Sequence, residues 1–216
     1  MFLEVNSSYN GRTGKMRDRL IVFTRYPEPG NTKTRLIPVL GPDGAARLHR
    51  RMAEHTFAVA EQFGKQKRVS VMAYYTGASK ERMNRWLGPE VTLRRQGDGD
   101  LGARIARAFR EAFQSRMKRV IIIGTDCPGI RVETLQEAID SLTSNDVVIG
   151  PARDGGYYLV GLRCEIPELF KDIPWGTGHV LERTLERAHR LGIRPFLLET
   201  LEDIDRPEDL CLLEQR

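Results

Sequence analysis

Apolar residues fall along this chain in two alternating rhythms. Unbroken runs, LIVF at residues 20–23, VSVMAYY at 69–75, VIII at 120–123 and DVVIG at 146–150, read as buried strands of a parallel sheet. Between them, apolar positions recur at the three- and four-residue spacing of helices. Ala46, Leu48, Met52, Thr56, Val59, Ala60 and Phe63 predict a long packing helix over 43–63, with Asp43 as its cap. A short helix at 79–87 and a short strand at 91–95 follow, with Trp86 in the core. Ile105, Ala108, Phe109, Ala112, Phe113 and Met117 predict a helix over 101–117, and another spans 132–143. Residues 151–162, PARDGGYYLVGL, place an Asp-Gly turn before an alternating aromatic and aliphatic strand, the mark of a hairpin. Val180, Leu181, Thr184, Leu185, Ala188 and Leu191 form the buried face of a helix that PWGTG (174–178) opens. A final strand at 195–198 precedes a helix started by Pro207. Such alternation implies a three-layer α/β/α fold with a mainly parallel central sheet.

Polar residues at the ends of the strand runs add candidate chemistry. VIIIGTDCP (120–128) carries Asp126 out of a buried strand at its carboxyl end, where open α/β sheets bind ligands. A carboxylate there either holds a divalent metal that in turn holds phosphate oxygens, or caps the helix beginning near Arg131. After the first strand, TRYPEPGNTKTRL (24–36) is stiffened by Pro27, Pro29 and Gly30 and presents Lys33 and Arg35 on either side of Thr34. A mobile ammonium beside a planar guanidinium suits a polyphosphate, and two solvated surface charges are the plainer alternative. QGDGDLG (96–102) has three glycines and two aspartates before a helix start. Its amides and Arg104 could meet an anion or a nucleobase, or Asp100 could simply cap the helix. Asp154, Gly155 and Gly156 with two tyrosines make a lining for a polar, sugar-like group, beyond their turn chemistry. Trp175 is a stacking platform or ordinary core. In LEDIDRPEDL (201–210), Asp203 and Asp205 alternate, so an extended segment points only one of them toward a metal shared with Asp126. His49 and His55, within the long helix, are given no role.

Composition narrows the classes. With 40% hydrophobic and 29% charged residues and no apolar run of spanning length, 216 residues fit one folded domain, taken as 19–216. The formal charge of +5 favours anionic small ligands over nucleic acid or membrane. Three cysteines without CxxC or Cys/His spacing give neither a disulfide framework nor a zinc site, and a reducing cytoplasm fits them. The loop after the first strand lacks the GxxxxGK[ST] and GxGxxG patterns, so it supports neither a Walker-type nor a dinucleotide fold. Residues 1–18 are polar and read as a disordered extension.

Taken together, FTRYPEPGNTKTRL, QGDGDLGAR, GTDCP, PARDGGYYLVGL, PWGT and EDIDRPEDL resemble the small bacterial transferases of GT-A nucleotide-diphospho-sugar transferase type, often associated with arsenosugar biosynthesis or radical-SAM proteins. More distantly the chain is similar to 2-phospholactate and molybdenum-cofactor guanylyltransferases. The resemblance implies that Asp126 and Asp205 hold Mg²⁺ or Mn²⁺, with Asp203 as a substitute. It implies that Lys33 and Arg35 meet the phosphates and assist departure of the leaving group. Leu101, Gly102, Arg104 and Asp126 would lie at the nucleotide, and Asp154, Gly155, Gly156, Tyr157 and Trp175 at the transferred group or acceptor, with Asp154 as base. The expected activity is metal-dependent glycosyl transfer from a nucleotide-sugar to a small acceptor. The alternatives are nucleotidyl transfer from a nucleoside triphosphate with pyrophosphate release, and a nucleotide-binding protein without chemistry. Thr-Asp-Cys holds one aspartate where many glycosyltransferases have Asp-X-Asp, which leaves nucleotidyl transfer open.

Overall fold

The computed structural model describes residues 16–213. It contains β1 (Asp18–Arg25), α1 (Ile37–Lys67), β2 (Ser70–Thr76), α2 (Lys80–Leu87), β3 (Thr92–Arg95), α3 (Leu101–Gln114), β4 (Arg119–Ile123), α4 (Val132–Ser141), β5 (Val147–Pro151), β6 (Tyr157–Leu162), α5 (Val180–Arg190) and β7 (Phe196–Leu197). The seven strands form one sheet in the order β3-β2-β1-β4-β6-β5-β7. All are parallel except β6, which runs antiparallel to β4 and to β5.

Strand periodicity explains the three layers. Successive side chains of a strand point to opposite faces, so a strand covered on both sides must be apolar throughout. In β4, Ile121 and Ile123 pack with Ala60 and Phe63 of α1 and Leu135 and Ile139 of α4. Val120 and Ile122 join Ile105 and Phe109 of α3 and Ala188 of α5 on the other face. The expected fold class, helices on both faces of a mainly parallel sheet, is what the structure has.

Several boundaries differ from the sequence reading. Asp18 belongs to β1, and its carboxylate takes two hydrogen bonds from Arg119 (3.0 and 2.6 Å), so the chain is ordered before residue 19. The rest of the expected extension, residues 1–15, lies outside the described residues. Asp43 does not cap α1, because the helix starts at Ile37 and bends at Gly41 (φ 67) before Pro42. Leu191, expected in the core, is 40% exposed, since α5 ends at Arg190. α3 likewise stops at Gln114, though Met117 still packs on the sheet.

Parallel strands deliver their loops to one edge. The loops after β1, β3, β4 and β5 gather there, and the antiparallel β6 starts there, bringing Tyr157 and Tyr158 to the same edge. A second strand-to-loop contact fixes this region. Ile204 is fully buried, and its amide donates to the Asp126 carbonyl at 2.9 Å.

Gly150 in β5 has no room for a side chain, because the ring of Tyr158 on β6 lies across it. We expect Gly150→Ala to destabilise the protein by about 1–3 kcal/mol through overpacking. In urea this reads as a lower midpoint at unchanged m. An unchanged midpoint would mean that the ring moves aside at no cost.

Candidate functional site

At the carboxyl edge of the sheet lies a cavity of about 720 Å³, walled by Asp126, Asp154, Asp203, Asp205, Tyr157 and Trp175 among others. Its organising contact comes from the loop after β1. There Thr32 is buried, donates to the Tyr26 carbonyl and accepts from the Glu28 amide, closing the proline-rich turn. Lys33 then adopts a left-handed conformation (φ 49) that turns its side chain inward. That side chain is only 4% exposed. Its Nζ lies 2.8 Å from Asp126 Oδ1 and 3.5 Å from Asp205 Oδ1, and it donates to the Ile204 carbonyl at 2.5 Å. Arg35, on the exposed side, pairs with the other oxygen of Asp205.

These contacts set the charge states. Burial opposes the Lys33 ammonium, yet Asp126, with Asp205 and Asp203 behind it, more than offsets that and raises its pKa. Crowding within the cleft disfavours the Asp126 carboxylate, but Lys33 outweighs it and keeps the pKa below the usual range. Both groups are therefore charged at neutral pH. Asp203 faces a different neighbour. Burial, then the charge of Asp154, pushes it up to about 6.

A residue to which the sequence assigned nothing completes this corner. His49, on the buried face of α1, is 5% exposed, and its Nε2 lies 2.9 Å from the Arg25 carbonyl. Burial is the main influence on its pKa and lowers it, so the ring is neutral and Nε2 is the donor. Nδ1 is then a bare acceptor without a hydrogen-bond partner, 3.9 Å from Asp126 Oδ1. The only sequence signal was a histidine in phase with the apolar positions of its helix.

The remaining candidates separate. Leu101 and Trp175 line the cavity, and Arg104 and Gly102 do not. Arg104 turns back and donates from Nε to the Gly99 carbonyl at 2.9 Å, so it braces the glycine loop. Arg107 does the same for the carbonyls of Gln96 and Asp98 (2.6 and 2.7 Å). Asp100 caps α3 through the Ala103 amide (2.8 Å). Gly102 is buried where a Cβ would come within 2.6 Å of the Phe170 carbonyl and of Trp175 Nε1. Its need for glycine is therefore packing of α3 against Trp175. Trp175 meets Tyr157 edge to face at 6.1 Å, and both pack on the sheet. Asp154 lines the cavity, where its Oδ1 accepts the Gly156 amide (2.7 Å), and among the described residues no cation pairs with it. Gly155 (φ 88) faces the backbone of Gly178, and its carbonyl accepts the Leu181 amide at 2.8 Å, tying the β5–β6 turn to the start of α5.

Whether Mg²⁺ or Mn²⁺ suits these residues follows from the donor set. Among the described residues no three His, Cys, Asp or Glu side chains form a ready cage. Asp126 and Asp205 nevertheless approach a common point, the Lys33 ammonium, and offer hard carboxylate oxygens. Magnesium is commonly held by one or two carboxylates together with substrate phosphates, so the pair fits such an ion.

Comparison with known proteins agrees with this architecture. Residues 42–177 match the profile of a family described as an uncharacterized protein conserved in bacteria (DUF2064), and the chain belongs to that family. It is 33% identical to a candidate nucleotide-diphospho-sugar transferase from Desulfovibrio desulfuricans G20, at a TM-score of 0.86, covering 92% of this chain and 86% of that one. It is 27% identical to a phosphoenolpyruvate guanylyltransferase of Chloroflexus aurantiacus, over 78% of this chain and 80% of the relative. A 2-phospho-L-lactate guanylyltransferase of Methanopyrus kandleri is 25% identical over 86% of each. The fold is thus of nucleotide-diphospho-sugar transferase type, with a distant relation to guanylyltransferases.

Gly155→Ala would meet both a left-handed backbone and the Gly178 carbonyl. We expect a loss of about 2–3 kcal/mol, read as a fall in melting temperature of roughly 4–12 °C. A wild-type melting curve would show that the two loops are not held together as the structure has them.

Proposed function

We propose that this member of the DUF2064 family is a metal-dependent nucleotidyltransferase, with a guanosine triphosphate donor and a small phosphorylated or hydroxylated acceptor. The observation that carries the reading is the cluster of Lys33, Arg35, Asp126 and Asp205 at the carboxyl edge of the sheet. It joins two carboxylates fit for a divalent ion to two cations fit for a polyphosphate. The names of the two guanylyltransferase relatives support the same reaction class and base.

In this reaction an oxygen of the acceptor attacks the α-phosphorus of the triphosphate, the bond from that phosphorus to the bridging oxygen breaks, and pyrophosphate leaves. Asp126 and Asp205 would hold the divalent ion, which would neutralise charge developing on the phosphates. Arg35 reaches the polyphosphate from the exposed side and steadies the departing pyrophosphate. Tyr157 and Trp175 form one apolar wall of the cavity. An acceptor phosphate needs no base. For a hydroxyl acceptor, Asp154 takes the proton, since it lines the cavity and is paired with no cation among the described residues. Leu101, at the cavity rim beside the loop braced by Arg104, borders the nucleoside.

Glycosyl transfer from a nucleotide-sugar is the second reading, favoured by the description of the Desulfovibrio relative. The narrower likeness to arsenosugar-associated transferases bears only on which acceptor is used.

Incubation with nucleoside triphosphates, Mn²⁺ and candidate acceptors should release pyrophosphate, and guanosine triphosphate should be preferred. Nucleoside diphosphate released from a sugar nucleotide, without pyrophosphate from any triphosphate, would establish glycosyl transfer instead. Asp126→Asn should lower kcat/KM by about 10²- to 10³-fold, the scale expected for loss of one electrostatic stabiliser of the transition state. Nucleotide binding with no turnover above background in either assay would point to a nucleotide-binding protein without chemistry.

A further inference from the structure

Lys33 is less accessible to a phosphate than its place in the loop implies. Arg35 lines the cavity, whereas Lys33 is absent from its walls and has a side chain only 4% exposed. An ammonium has three N–H donors, and here three oxygens surround it: Asp126 Oδ1 at 2.8 Å, the Ile204 carbonyl at 2.5 Å and Asp205 Oδ1 at 3.5 Å. Two of these oxygens belong to the same carboxylates that suit a divalent ion, the third to a backbone carbonyl, and all three converge on a single point that a cation already fills.

We infer that Lys33 Nζ is a built-in stand-in for the divalent cation, competing with that ion for Asp126 and Asp205 and reaching the polyphosphate only once displaced. The inference rests on the metal-dependent reading of the site. Two cations cannot share the gap between these carboxylates, because their mutual repulsion adds to the loss of each one's coordination. His49 Nδ1 lies 3.9 Å from Asp126 Oδ1 and Lys33 Nζ only 2.8 Å, so beside Asp126 the lysine is the compensating cation. Lys33 sits at φ 49, a left-handed conformation that Arg68, Arg116 and Asp172 also adopt, and its side chain runs inward to the two carboxylates. Residues 34–40, which include Arg35, lie between this residue and Gly41, also at positive φ (67), so the segment is bracketed by two points where the chain can turn.

Because binding linkage is reciprocal, whatever draws Lys33 away strengthens metal binding, and the metal frees Lys33 for phosphate. Free protein should therefore bind the ion weakly until a polyphosphate is present.

The test is Mn²⁺ binding to the full chain without any phosphate, followed by the electron paramagnetic resonance signal of the free ion. Lys33→Met should bind Mn²⁺ about tenfold more tightly than wild type, within the usual range of coupling between sites. Arg35→Gln, which frees one oxygen of Asp205 at an exposed position, should gain roughly two- to threefold, as fits a surface pair. Asp126→Asn should weaken binding in every background. Equal or weaker binding by a folded Lys33→Met overturns the inference and leaves the metal site intact. Should Lys33→Met not fold, Arg35→Gln decides, and an affinity no higher than wild type overturns the inference. No Mn²⁺ bound by wild type or either variant overturns the inference, and pyrophosphate release that needs no divalent ion removes the metal-dependent reading as well.

Discussion

The ammonium of Lys33 joins three parts of the chain that are distant in sequence. It belongs to the loop after β1, and it contacts the acid at the end of β4 and a carbonyl 171 residues away, at Ile204. Remove that charge and two carboxylates face each other across the mouth of the cleft. The hydrogen bond from the Ile204 amide to the Asp126 carbonyl holds the same junction through the backbone, so position is set by main chain and charge balance by side chain. Arg35 and Arg153 extend this to the rim by pairing with Asp205 and Glu202. Asp126, Asp205 and Glu202 are thus paired with basic side chains in the free protein, whereas Asp154 and Asp203 face each other's charge, which shapes how any charged ligand must enter.

The sheet determines why these groups meet at all. Parallel strands send their loops to one edge, and a single reversed strand, β6, lets the chain turn there in a tight hairpin instead of crossing over with a helix. Asp154, the turn glycines and the two tyrosines reach the cavity for that reason. Close backbone approach then does the fine positioning. Gly102 admits Trp175 against α3, Gly155 admits the start of α5, and Gly150 admits the Tyr158 ring. Each glycine sits where a methyl group would push a cavity wall out of place.

Several features were legible in the residues alone. The VIII run reported a strand buried on both faces, and helical spacing located the cores of α1, α3 and α5, because burial imprints its period on the chain wherever an element has a fixed face. Element ends were less legible. Asp43 looked like a cap, but the bend at Gly41 lets the helix begin a turn earlier, and the helix at Leu191 stops before the apolar pattern does. Asp18 looked like a polar tail, and its partner Arg119 is visible only across the sheet.

Local pattern by itself determined the fold class and the polar residues that could carry chemistry, since periodicity and turn chemistry depend on neighbours a few positions apart. The alternation of Asp203 and Asp205 suggested opposite sides, yet both line the same cavity, with different neighbours. Only the tertiary structure decided which neighbours those were: Asp205 against Lys33 and Arg35, Asp203 against Asp154. It also turned Arg104 back onto its own loop and brought the neutral His49 beneath Asp126. The reason is physical. Whether a charge meets a ligand or another side chain depends on distances between segments far apart in sequence, and folding sets those distances through the packing of the whole sheet.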